Sequence, residues 1–379
     1  MSAPLSLLIL ARNEEKTIAR CLSPLRRHAA EIIVMDTGST DGTVRVARSL
    51  GARILRARFK GDFAVLRNRL LAEARQTWIL FLDADEVLST HDARRLAARL
   101  RNASADAYQL EIRHYTDDYN LVNDWRPCRG EYSKEERLSG KAGFYRYSRP
   151  LLFRARPDVR YEYPIHESIL PSLARSRRRI GTLPVVVHHF EFGKGAAHHL
   201  RKHRAYLRRE LALLKRMPSD SPCYPMMLQS AAIDLISTGG DLAAAARLCR
   251  TLVARAPRDE RHRMLQARIA MLQRRHKEAA RQLNVSIALR ATPDNLCLAA
   301  WNQMESGNGA AARRFLRRAL RKRPWHPVSL HLMGVLLANE GRLRSARSFF
   351  DRALRVHPRF RDARAARDVV RRALRRRLA

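Results

Sequence analysis

Trp78-Ile79-Leu80-Phe81-Leu82-Asp83-Ala84-Asp85-Glu86 is the stretch on which the reading of this chain turns. Its unbroken apolar run reads as a strand buried on both faces, as in a parallel sheet covered by helices. The run stops at three acids, and open parallel sheets bind ligands at the carboxyl ends of their strands. In extended backbone Asp83 and Asp85 share a face. Two carboxylates so placed can hold a divalent cation that keeps room for phosphate oxygens and water. The plainer alternative is a strand that ends in a polar loop before the next helix.

Working outward, further strands are expected at 5–10, 31–35, 53–56 and 107–112, with helices from 16 to about 28 and over 43–50, 62–75 and 90–101. Strands alternating with helices of this length indicate an α/β domain with a doubly wound, mostly parallel sheet. Asp36-Thr37-Gly38-Ser39-Thr40-Asp41-Gly42-Thr43 is a tight turn in which Asp41 is expected to cap the following helix. Right-handed crossovers bring Asn13/Glu14, Asp36 and Asp83/Asp85 to one edge of the sheet. No G-x-G-x-x-G and no Walker-type loop is present, so phosphates must be held through a metal and basic side chains.

Composition narrows the class. A chain of 379 residues with 46% hydrophobic content supports more than one cored domain. No apolar run approaches the roughly 20 residues of a membrane span. The N-terminal apolar run lacks a basic lead and a cleavage site, and the five cysteines (Cys21, Cys128, Cys223, Cys249, Cys297) lack metal-ligand spacing. A cytoplasmic location is therefore expected. The formal net charge of +38 is spread as arginine along the whole chain without a nucleic-acid-binding signature. It predicts no specific nucleic acid but does predict attraction to anionic substrates or, peripherally, to the inner membrane face.

Arg12-Asn13-Glu14-Glu15, then Ile32-Ile33-Val34-Met35-Asp36-Thr37-Gly38-Ser39, then Asp62-Phe63-Ala64-Val65-Leu66-Arg67-Asn68, then Trp78 to Glu86 resemble, in that order, family 2 glycosyltransferases. The resemblance implies a GT-A fold and a nucleotide-sugar donor, usually a UDP-sugar. It implies donor contacts from Ala11, Asn13, Glu14, Asp36, Arg67 and Asp83, with Asp36 on the base. It implies a divalent metal, Mn2+ or Mg2+, on Asp85 with Asp83 beside it. Thr37 stands where many members have a second acid, which leaves the base contact to Asp36 alone.

Residues 113–150 show no clean period and read as an acceptor-side segment or loop. Tyr163-Pro164-Ile165-His166-Glu167-Ser168 is similar to an Ile-His-Glu stretch of the same family and makes Glu167 the candidate general base. A structural carboxylate paired with an arginine is the alternative, and Asp117, Asp118 and Asp124 compete for the role. Val185-Val186-Val187-His188-His189 is another strand ending in polar residues. Relatives carry a metal-shell histidine there, which points to His189, with His188 on the opposite face. His198, His199, Lys202 and His203 on the next helix read as a basic solvated face.

Past about residue 220 the pattern is all helical. Gly307, Ala312, Ala319 and Pro324 recur as Gly341, Ala346, Ala353 and Pro358, with an earlier copy at Gly240, Ala245, Leu252 and Pro257. A period near 34 residues with small residues at the crossing is the tetratricopeptide pattern. The expected division is 1–220 for the α/β domain and 221–379 for an all-α repeat array with a capping helix. Its groove is expected to take a protein partner, the transferase acceptor being a glycan, a lipid-linked molecule or a peptide, in cell-envelope or protein glycosylation. The competing expectation is an adaptor whose transferase-like domain is inactive.

Overall fold

The computed structural model describes residues 3–119, 124–190 and 196–376. The chain divides into two compact units. The first comprises Met1–Tyr115, Arg137–Ser139 and Arg146–Met227; the second comprises Thr116–Glu136, Gly140–Tyr145 and Leu228–Ala379. The junction near 227 lies close to the expected boundary at 220. The segment beginning at Thr116, expected with the α/β domain, groups with the helices.

In chain order the first unit starts β1 (Ala3–Ala11), α1 (Ile18–Leu22), β2 (Ala29–Asp36), α2 (Thr43–Ser49), β3 (Arg53–Arg56), α3 (Phe63–Glu73), β4 (Trp78–Asp83) and β5 (Glu86–Leu88). α4 (Thr90–Arg99) leads into β6 (Ala107–Thr116). After β7 (Arg126–Pro127) and α5 (Ser133–Ser139) come β8 (Gly143–Arg154), α6 (Leu170–Arg175), β9 (Ile180–His189) and α7 (Ala196–Leu214). The helix expected to run to about 28 is only α1, because Pro24 has no backbone N–H to continue it.

The sheet runs β3-β2-β1-β4-β8-β6-β9-β5, with β7 pairing β8. β3, β2, β1 and β4 are mutually parallel. Beyond β4 the sheet is mixed: β8 joins β4 and β5 joins β9 antiparallel, while β6 and β9 are parallel. The doubly wound, mostly parallel expectation is met, the antiparallel pairs lying beyond β4.

Burial explains the continuous apolar runs. Leu5, Leu7 and Ile9 of β1 join one core with Trp78, Leu80 and Leu82 of β4, while Leu8, Ile79 and Phe81 join the other. Alternate residues thus enter cores on opposite faces. The register places Leu10 beside Asp83 and Ala11 beside Asp36, so the polar strand ends form one row.

After α8 (Tyr224–Ser237), which begins in the first unit, and α9 (Leu242–Arg255), the second unit pairs α10 (Glu260–Leu272) with α11 (His276–Leu289), α12 (Pro293–Glu305) with α13 (Gly309–Lys322), and α14 (Pro327–Asn339) with α15 (Leu343–Val356). α16 (Arg361–Arg376) follows. The tight turns need a left-handed residue, supplied by Gly307 at φ 74° and Gly341 at φ 75°. In the less regular α10–α11 pair the left-handed residue is Arg274, at φ 60°, which is why the glycine signal fades there. Between α8 and α9 it is Gly239, one residue before the Gly240 picked out by spacing. Ala312, Ala319, Ala346 and Ala353 are fully buried, and Gly334 lies so close to Phe350 that a Cβ would fall 2.6 Å from its ring.

The segment from 116 to 136 belongs to this unit through built contacts. Trp125 is fully buried, stacks on His357 at 5.1 Å between ring centroids, and lies flat on Gly143. The Tyr119 hydroxyl donates to Asp294 Oδ1 at 2.8 Å and also meets His326. Asp124 pairs with Arg323 at 2.6 Å and Asp117 with Arg359 at 2.9 Å. Asp117 and Asp124, expected as competitors for the base, are therefore anchors on the helical array. Trp125→Ala is expected to lower the stability of the helical unit by about 3–5 kcal/mol. Calorimetric melting checks this: the transition of the helical unit should fall by several degrees although residue 125 lies far from the helices in sequence.

Candidate active site

Four elements of the first unit converge beyond the end of β4. Arg67 rises from α3 across the Phe81 ring, its guanidinium carbon 4.2 Å from the ring centre. Its Nη2 donates to Asp83 Oδ1 and its Nε to Glu167 Oε1, both at 2.7 Å. Arg67 is only 6% exposed, so one buried cation serves two carboxylates from distant parts of the chain. Arg149 of β8 pairs with the buried Glu86 and lies 3.8 Å from Asp83 Oδ2. The Asp83 backbone N–H donates to Glu86 Oε2 at 3.0 Å, which closes the turn between β4 and β5.

The electrostatics follow from these contacts. Burial would raise the Asp83 carboxyl, but Arg67 and Arg149 outweigh it and hold Asp83 well below the usual carboxylate range. Glu86 goes the other way: burial and the nearby Asp83 push it up, against the pull of Arg149. Burial raises the Tyr147 hydroxyl, and Glu86, Asp83 and Asp85 add to the rise against the pull of Arg149.

Asp85 brings in a partner from another strand. β4 ends at Asp83 and Asp85 sits in the turn after it, so the period of two that would align them is broken. Asp85 Oδ2 faces His189 Nε2 at 3.6 Å, and the Asp85 carbonyl accepts the Phe190 N–H at 3.1 Å, which ties the end of β9 to this turn. His189 Nδ1 meets His114 Nδ1 of β6 at 2.9 Å. Burial lowers His189, but Asp85 and the neighbouring acids outweigh it and raise the ring above its ordinary value. His188 points to the opposite face, with Nδ1 2.9 Å from the Tyr115 hydroxyl, and burial with the nearby Arg113 pushes it down to about 3.

The expected three-donor set Asp83, Asp85 and His189 does not form. Among the described residues no group of three or more His, Cys, Asp or Glu side chains is arranged to hold a metal ion. Asp83 is drawn off by two guanidinium groups. Asp85 and His189 do fit as one side of a cation site, because two donors 3.6 Å apart can both reach an ion at about 2.1 Å. Donor phosphates and water would have to complete the shell.

The ends of β2 and β3 with α2 form an open cleft of about 900 Å³, lined by Asp36, Thr37, Ser39, Arg48, Arg56 and Arg58 among others. Asp36 lies in it with its carboxylate accepting the Gly38 and Ser39 N–H groups. Ala11 is buried at the end of β1, its carbonyl accepting the Thr37 N–H at 2.9 Å. Asn13, expected to touch the donor, has a left-handed backbone at φ 56° and accepts the Thr40 N–H at 2.8 Å, locking the two loops together. The Glu14 carboxylate accepts from Thr17 at 2.6 Å. Asp41 is not the formal cap of α2, yet its carboxylate accepts the Thr43 N–H at 3.0 Å from one position outside. Arg67 does not line this cleft; it lies beneath the acids. The side chains of His198 and His199 fall outside the described residues.

Two participants were missed in the sequence. Arg149 reads there only as the start of an apolar run, and His114 as one residue of an aperiodic stretch. The usable signal was His114-Tyr115 at the end of a strand, the same pattern that singled out His188-His189.

Residues 6–158 match the family model described as Glycosyl transferase family 2, and residues 303–368 match Tetratricopeptide repeat. The chain carries a family 2 glycosyltransferase domain followed by tetratricopeptide repeats. Among curated proteins it is 32% identical over 198 residues to a TPR repeat-containing protein of Synechococcus elongatus, covering 51% of this chain and 43% of that one. It is 30% identical over 141 residues to the SPbeta prophage-derived glycosyltransferase SunS of Bacillus subtilis, covering 36% of this chain and 32% of that one. The chain thus spans less than half the length of these relatives. Among solved structures, a thermophilic TPR protein of Thermus thermophilus, TTC0263, aligns over 46% of this chain and 93% of its own, at 22% identity and a TM-score of 0.40. Among the described residues no helix is long and apolar enough to cross a membrane.

Removing Arg67 tests the electrostatic arrangement. Arg67→Met leaves two carboxylates without their buried partner and is expected to cost about 3–5 kcal/mol at neutral pH. Because the folded Asp83 titrates below its unfolded value near 3.9, its contribution is present above that pH and lost as pH falls through the folded value. Chemical denaturation of both proteins from pH 7 to pH 2 should show the gap between them shrinking below about pH 4.

Proposed function

We propose that this protein is a metal-dependent glycosyltransferase that moves a sugar from a nucleotide-sugar donor, a UDP-sugar in this reading, to a glycan, lipid-linked or peptide acceptor with inversion at the anomeric carbon. The observation that carries the proposal is the Asp85–His189 pair at the end of β4, set beside the Arg67–Asp83–Arg149 cluster. Opposite charges are there held within a few ångströms, as a diphosphate and its counterion require.

The Asp36 cleft takes the base and ribose, with Arg56 and Arg58 at its wall. Asp85 and His189 Nε2 would hold the cation, which would supply charge neutralisation for the leaving diphosphate. Asp83 orients Arg67 and Arg149 rather than ligating. Glu167 takes the acceptor proton. Its Oε1 is held by Arg67, so the proton goes to Oε2. The alternative for Glu167 is a wholly structural partner of Arg67, and a Glu167→Gln variant that still turns over at the wild-type rate selects it.

The helical unit adds a reading of its own. A cavity of about 690 Å³ is lined by Tyr119, Leu272, Trp301, His331 and Phe360 among others, with Leu272 49% and Trp301 42% exposed. That supports a protein or peptide ligand, and it is the feature favouring the second reading, an adaptor with an inactive transferase-like domain. Exposed Arg314, Arg317, Arg318 and Arg321 on α13 support contact with an anionic surface such as the inner face of a membrane. Cytoplasmic location belongs to the same proposal.

Titration calorimetry with UDP separates the readings. Binding is expected to require Mn2+ or Mg2+ and to weaken roughly tenfold or more in Asp85→Asn. Metal-independent binding, or an unchanged variant, overturns the catalytic reading; no binding at all, with a protein captured by the helical unit, selects the adaptor. A panel of sugar nucleotides with the product anomer read by NMR then identifies the sugar and checks inversion.

A further inference from the structure

The parallel pairing of β6 with β9 sets His114 directly opposite His189, and Arg113 opposite His188. Side chains alternate across a strand, so Arg113, Tyr115 and His188 occupy one face of the sheet while His114 and His189 occupy the other. The two rings meet edge to face, their centroids 4.7 Å apart and their planes at 71°, and the contact is nitrogen to nitrogen: Nδ1 to Nδ1 at 2.9 Å. That distance demands one proton between the two atoms. Two protons would clash and two lone pairs would repel.

Which ring donates decides what His189 offers on its far side. When His189 donates from Nδ1, a neutral ring has its lone pair on Nε2, the atom that faces Asp85. When His114 donates instead, the neutral His189 must carry its proton on Nε2, and that atom cannot ligate. His114 is buried, only 8% exposed, and stands on a central strand, so the position of its Nδ1 is set by the sheet and not by solvent.

We propose that His114 is a positioning residue: by accepting the Nδ1 proton of His189 it fixes the ring orientation and the tautomer in which Nε2 joins Asp85 in holding the divalent cation. The proposal rests on the catalytic reading above and deepens it by naming the group that prepares one of its two protein donors. An outer hydrogen bond of this kind is worth about 10–100-fold in metal affinity.

Mn2+ binding in the presence of UDP, followed by electron paramagnetic resonance, is the test. His114→Leu removes the acceptor at similar volume and is expected to weaken Mn2+ about 10–100-fold. His114→Asn places an amide oxygen near the position of Nδ1 and is expected to restore affinity to within about threefold of the wild type. Leu binding as tightly as wild type, or Asn as weakly as Leu, overturns the assignment while leaving the catalytic reading intact. A wild type that binds no Mn2+ instead removes the catalytic reading itself. Should His114→Leu not fold, nitrogen-15 NMR of the wild type with Mg2+ and UDP decides: the His189 proton is expected on Nδ1, and a proton on Nε2 overturns the proposal.

Discussion

The guanidinium of Arg67 is the point through which the first unit is tied together. It lies on the Phe81 ring and bonds Asp83 and Glu167, joining α3, the end of β4 and the segment before α6. A buried cation flanked by two carboxylates is stable only as a set, since loss of one partner strands the others in a poor dielectric. The set also distributes tasks. With Asp83 held by Arg67 and Arg149, the acid that faces His189 is Asp85, and that histidine is delivered by the far side of the sheet.

That delivery depends on the mixed half of the sheet. β5 pairs antiparallel with β9, and β6 pairs parallel with it, so His189 has Glu86 on one side and His114 on the other. The Phe190 N–H to Asp85 carbonyl bond anchors the end of β9 against the β4–β5 turn. A uniformly parallel sheet would carry the acids at one strand end without bringing these histidines to them. The antiparallel pairs within the mostly parallel sheet are therefore part of what builds the site.

The helical unit shows a different economy. Each pair of helices closes through small buried residues and a left-handed turn residue, so the repeat is written locally. Trp125, buried, and Tyr119, half-buried, come from a segment between strands and pack against the starts of α12 and α14 and the end of α15. Their aromatic surface and hydroxyl find partners that no periodicity announces.

The division between sequence and tertiary structure follows from these cases. Local patterns determined what they physically control: apolar runs made β1, β2 and β4, an acid after such a run marked a strand end, and repeating alanines with a turn glycine marked the helix pairs. The four ordered motifs pointed to Asp36, Asp83 and Asp85 at strand ends of the α/β domain, and a separate strand-end pattern pointed to His189. Partner choice was not legible, because it depends on which strand lies beside which. The sequence could not say that Asp83 belongs to two arginines and Asp85 to a histidine, since a turn at Ala84 and Asp85 ends the alternation on which their pairing relied. Nor could it say what Arg149 and His114 bind, which comes from β8 and β6 lying within the sheet, contacts between residues far apart in the chain that only the packed structure makes.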